Sequence, residues 1–147
     1  MRSLCMHRII AVSLLLLLSS GFAFAAKYKI DPGHTYPNFT ISHLGFSTMH
    51  GQFAKTKGTL TYDQVSGKGS VDITIDVASI YTGHKKRDDH LRSPDFFNAL
   101  EFPEITFKSR QANLGGGSGT VEGQLTIMGI TKNVTLKVSS IHCGKHP

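Results

Sequence analysis

Ser70-Val71-Asp72-Ile73-Thr74-Ile75-Asp76-Val77 alternates polar and apolar side chains without a break. A period of two places Val71, Ile73, Ile75 and Val77 on one face of an extended strand and leaves the other face wet. Thr120 to Ile127 repeats the pattern, with Val121, Gly123, Leu125 and Ile127 against Thr120, Glu122, Gln124 and Thr126. A third run sets Val134, Leu136 and Val138 against Thr135, Lys137 and Ser139, after the turn Met128-Gly129-Ile130-Thr131. The last two runs therefore predict a β-hairpin. Strands buried on one side only belong to antiparallel sheets, because parallel strands are covered on both faces and read as unbroken apolar runs.

Outward from these segments, shorter strands are expected at Tyr28 to Ile30, Asn38 to His43, Gly58 to Asp63 and Ile105 to Arg110. They add Phe39, Ile41, Leu60, Tyr62, Ile105 and Phe107 to the apolar side. Gly67-Lys68-Gly69 and Gly115-Gly116-Gly117-Ser118-Gly119 supply turns. An all-β chain of this kind closes as an antiparallel sandwich or barrel. The one interruption is His84 to Ala99, where Thr82 is placed to cap a short charged helix and Ser93-Pro94 opens another. This helical insertion is expected over one end of the sheet, with Asp88 facing Arg92 on a solvated helix face.

A chain of 147 residues allows one domain. Hydrophobic residues at 39% and charged residues at 18% exclude a multi-span membrane protein and a disordered chain. Arg2 and Arg8 precede an apolar run from Ile9 to Leu18, and Ala23-Phe24-Ala25 follows, which is the three-part pattern of a cleaved export signal. Residues 1–25 are read as that signal and 26–147 as the domain, placing the protein in the periplasm. The run falls short of the roughly 20 residues that span a bilayer. Cleavage would lower the net charge from +6 to +4, too modest to argue for nucleic acid as a partner. The sequons at Asn38 and Asn133 lie inside expected strands and read as chance.

Beyond residue 25 the only cysteine is Cys143, so no internal disulfide forms and cross-linking between chains is the alternative. His142-Cys143-Gly144-Lys145-His146 lacks a second ligand cluster at zinc spacing, and no metal or other cofactor is expected. His84, Asp89 and His90 offer acid-base groups, which sets an enzyme as a rival reading. No His-Glu-x-x-His, Gly-x-Ser-x-Gly, Cys-x-x-Cys or phosphate-loop motif occurs, and no catalytic residue is assigned.

Three blocks resemble the YceI-like family of exported lipid- or polyisoprenoid-binding proteins. IDPGHTYPNFTISHLGFSTMHGQF, Ile30 to Phe53, is similar to the family's opening block; ASIYTGHKKRDDHLRSPDFFNALEFPEITFKS, Ala78 to Ser109, is closer still; VEGQLTIMGITKNVTLKV, Val121 to Val138, is the third. Thr56 and Tyr81 depart from the family pattern, which usually has an aromatic before Gly58 and Asp or Asn before Thr82. The resemblance implies an eight-stranded, lipocalin-like antiparallel barrel with a short helical insertion, holding an isoprenoid or other long-chain lipid without catalysis. The apolar side of the strands would be the lining, and Lys85, Lys86, Arg87 and Arg92 would meet an anionic head group. Family members run on past Pro147 into closing strands, so the barrel is expected to be incomplete here, and the chain marginal, aggregation-prone or a homodimer through its edges. A structural or stress-response protein with a self-filled cavity is the other reading carried forward.

Overall fold

The computed structural model describes residues 25–144; the expected export signal and the terminal Lys145, His146 and Pro147 lie outside them, apart from Ala25. Among the described residues nine strands and one α-helix follow in the order β1 Ala26–Lys29, β2 Asn38–His43, β3 Ser47–Phe53, β4 Thr56–Tyr62, β5 Gly69–Asp76, β6 Ile80–Tyr81, α1 Lys85–Arg92, β7 Glu104–Asn113, β8 Gly119–Ile127 and β9 Ile130–Val138. Every pairing is antiparallel, in agreement with the half-wet alternation.

The strands form two sheets: six in the order β1-β4-β5-β7-β8-β9, and three in the order β2-β3-β6. Within the larger sheet, register pairs Tyr28 with Leu60, Leu60 with Val71, Ile73 with Phe107 and Phe107 with Leu125, so one apolar face runs unbroken across five strands. The β8–β9 hairpin turns through Met128 and Gly129, both at positive φ, as a two-residue turn with the twist of its flanking strands requires. Ladder register shifts between Ser109 and Gln111, and the Ser109 hydroxyl accepts the Val71 N–H at 2.7 Å where β5 and β7 separate. A bulge of this kind bends the sheet without leaving that donor unpaired.

Two clusters make the core. Tyr62, Phe107, Ala112, Leu114 and Val121 are buried at one end of the larger sheet, with Ile141 laid over them from beyond β9. At the other end Phe53 and Ile80 of the smaller sheet pack on Val77 and Ile105. Phe39 and Phe97 bring their rings to 5.8 and 5.7 Å of Phe53. Phe39 lies so closely over Gly51, its cross-strand partner, that a Cβ there would stand 2.2 Å from the ring. The fold thus positions an apolar face between two packed plugs.

Helix α1 follows sequence expectation in place but not in its ends. His84, rather than Thr82, is the N-cap, its Nδ1 accepting from the Arg87 N–H at 3.2 Å. Thr82 instead donates through its N–H and its hydroxyl to Asp88. Asp88 therefore turns inward and is 5% exposed, and Arg92 pairs with Asp89 rather than with Asp88. After Ser93 the chain makes turns and no second helix, although the Ser93 hydroxyl still accepts from Asp95 N–H. Val77, expected at the end of a strand, opens a 3-10 turn and is fully buried.

Candidate functional site

The apolar face of the larger sheet divides by what covers it. Tyr62, Val77, Ile105, Phe107 and Val121 are buried in the two clusters, and Phe39, Val71, Ile75, Leu125, Ile127 and Val134 pack against them. Four expected lining residues take part in neither cluster: Leu60 and Ile73 are half-buried, while Leu136 and Ile41 are 43% and 58% exposed. Tyr28, beside Leu60 on β1, is also exposed. Leu60 and Tyr62 share a wall with Tyr28 and Ile30 around a cavity of about 590 Å³, and Ile141 to Gly144 form its other side. That volume lies within the range of small-molecule sites, which are mainly apolar with a few polar groups.

Polar side chains make up much of the rest of this lining, His142 and Cys143 among them. The Tyr62 hydroxyl donates to the Leu114 carbonyl at 3.2 Å, and His34 Nδ1 stands 2.6 Å from Asp31 Oδ2 beside it. Lys29, Asp31 and Gln64 line the rim. Sequence reasoning placed a strand at Tyr28 to Ile30 and weighed His142 and Cys143 as metal ligands, but assigned neither Tyr28, Ile30 nor Ile141 to a lining. Tyr28 sits in a four-residue strand too short to show a period, and Ile141 is placed by one backbone bond, its N–H donating to Gly117 O at 2.5 Å.

A second cavity, about 550 Å³, lies between Pro32, Thr56, Asp76, Pro103 and Glu104, with Lys55 and Lys57. Lys57 pairs with Glu104 there at 3.0 Å. Lys55, Lys57, Asp76 and Glu104 put charge along its walls. The Thr56 hydroxyl is buried and has no hydrogen-bond partner among the described residues.

The expected head-group cations are largely committed elsewhere. Arg87 donates from Nε to the Thr82 hydroxyl and from a terminal nitrogen to the Thr82 carbonyl, both at 2.7 Å. Arg92 donates to the carbonyls of Ala78 and Ile80 and to Asp89. Lys85 pairs with Asp89 at 2.7 Å, and Lys86 is exposed and makes no ion pair among the described residues. Lys85 foremost, with Arg92, holds the Asp89 carboxyl below the usual carboxylate range. The acid-base groups of α1 are likewise spread along it: His84 caps one end, and His90 meets Asp95 at 3.2 Å and the edge of Phe96 at the other. Among the described residues no three His, Cys, Asp or Glu side chains converge as metal ligands, and no helix is long and apolar enough to cross a membrane. Cys143 is exposed as a free thiol.

Comparison with known proteins places this geometry in context. A model of the YceI-like domain matches residues 28–145. Protein YceI of Escherichia coli is 42% identical over 135 residues, covering 90% of this chain and 71% of the relative. Among solved structures, BcnA of Burkholderia cenocepacia superposes with a TM-score of 0.67 at 32% identity, over 74% of this chain and 70% of that one. The Campylobacter jejuni YCEI protein gives 0.60 at 34% identity, over 75% and 66%.

Proposed function

Because the chain belongs to the YceI-like family, we propose that it is a non-enzymatic carrier or storage protein for an isoprenoid or similar long-chain lipid, exported to the periplasm. The observation that supports this reading most is the apolar face left between the two clusters, where Leu60 and Ile73 belong to neither and stay half-buried, with exposed Tyr28 beside Leu60. An alkyl tail gains about 0.8 kcal/mol per buried methylene, so each five-carbon prenyl unit contributes about 4 kcal/mol before ordering costs. No single polar contact at the rim competes with that, and the head group is secondary to affinity.

The test is native mass spectrometry and lipid extraction of the whole chain, expressed with residues 1–25 in place. A co-purifying hydrophobic ligand is the expected result, and repeated recovery of empty protein overturns the proposal. The packing of Tyr62, Leu114 and Ile141 supports one alternative, a structural or stress-response protein whose interior is filled by its own side chains. A ligand-free crystal structure without a continuous tunnel would favour it.

A further inference from the structure

The β2–β3 hairpin ends in a feature that the cavity does not use. Burial declines along it: Phe53 and Gly51 are buried, Phe39 and Met49 half-buried, Ile41 58% exposed, and the tip residues Leu44 and Phe46 80% and 90% exposed. Leu44 holds φ of 53° and Gly45 of 77°, and the turn is closed by the Phe46 N–H donating to the His43 carbonyl at 3.0 Å. A leucine in the left-handed region is uncommon and strained, so its place at a tip where a polar residue would fit more easily needs a reason. Charge supplies a second observation. Between Asp31 and Lys55 the sequence contains no Asp, Glu, Lys or Arg.

We infer that the His43-Leu44-Gly45-Phe46 tip inserts into the interface of a lipid bilayer. Large apolar side chains presented together on a surface mark an interaction site. A convex tip with two such side chains is too small for a stable protein interface, which takes about 800 Å² from each partner. A fluid lipid surface, by contrast, closes around a projection and needs no complementary shape. With no Asp, Glu, Lys or Arg in the hairpin and His43 and His50 its only titratable groups, insertion draws mainly on apolar area, one of the two terms that govern interfacial binding, rather than on attraction to anionic lipid. The inference rests on the hairpin alone and stands whether or not the cavity binds lipid.

The chain contains no tryptophan, so one introduced at the tip reports without background. Phe46→Trp is expected to shift its emission to the blue on adding neutral phosphatidylcholine vesicles, to be quenched by brominated acyl chains, and to do so equally in high salt. Val65→Trp, on the β4–β5 turn at a site 86% exposed, is the control and should keep solvent-like emission. A Leu44→Asn, Phe46→Ser double variant should lower vesicle partitioning about tenfold or more. Its thermal midpoint should not fall, because Asn accepts the left-handed backbone that strains Leu44. Solvent-like emission from Phe46→Trp, an equal shift in both tryptophan variants, or full partitioning by the double variant would each overturn the inference.

Discussion

Asp88, buried in the middle of α1, accepts hydrogen bonds from both the N–H and the hydroxyl of Thr82, and so ties the helix to the end of β6. Arg87 grips the same residue from its other side. Removing the Asp88 side chain strands a backbone donor in a half-buried place, so Asp88→Ala should cost about 1–3 kcal/mol. Asp89→Ala, on the exposed face, should cost clearly less, because its ion pairs are screened by water. Urea denaturation of the two variants separates them; equal losses would show that the Thr82 contact is not what holds the helix.

Asp89 also predicts an acid response. Its carboxyl is held low chiefly by Lys85, so at moderately acid pH the unfolded chain binds a proton that the folded chain does not. The resulting stabilisation is present above the ordinary aspartate range and is lost as pH falls through the lowered value. Lys85→Met should move the Asp89 titration, followed by carbon NMR of its carboxyl, upward toward that range. An unchanged midpoint in the variant would remove the pairing as the cause.

What could be read from sequence follows from how each segment is buried. Strands β5, β8 and β9 are legible because one side faces the core and the other water, so the period survives in residue type. Strand β3 escaped notice: Ser47-Thr48-Met49-His50-Gly51-Gln52-Phe53 carries glycine at an inward position because the Phe39 ring fills the space. That exchange of volume between strands leaves no mark on either alone. The neighbours of the α1 cations are hidden for a related reason. Arg87 and Arg92 look solvent-bound in sequence, yet their partners are the backbone carbonyls of Thr82, Ala78 and Ile80, which no residue pattern advertises.

Thr56 gives a prediction in the opposite direction. Its hydroxyl is buried without a partner opposite Ile75, and the desolvation of that group is uncompensated. Thr56→Val keeps the branched shape that suits a strand and removes the polar atom. Stability should rise by about 1 kcal/mol, within the cost of an unsatisfied buried group. A loss of stability on thermal denaturation would mean that the hydroxyl is paired in solution.

The proposed lining can be separated from the core by the same measurements. Phe107 is buried in the first cluster, so Phe107→Ala should cost about 3–5 kcal/mol, whatever the protein binds. Leu60 and Ile73 lie on the same face but outside both clusters. Being only half-buried, each should lose about 1–2 kcal/mol of stability when replaced by Ser, below the full value for a buried aliphatic side chain. If lipid lies along this face, the Leu60→Ser, Ile73→Ser double variant should fold yet retain at least about tenfold less co-purified lipid than the parent, since two apolar contacts are lost from the bound state. Extracted lipid per folded protein, with the folded fraction set by near-ultraviolet circular dichroism, gives the ratio. Parental occupancy in the double variant would place the tail elsewhere, and the face between the clusters would then be only the thin side of the core.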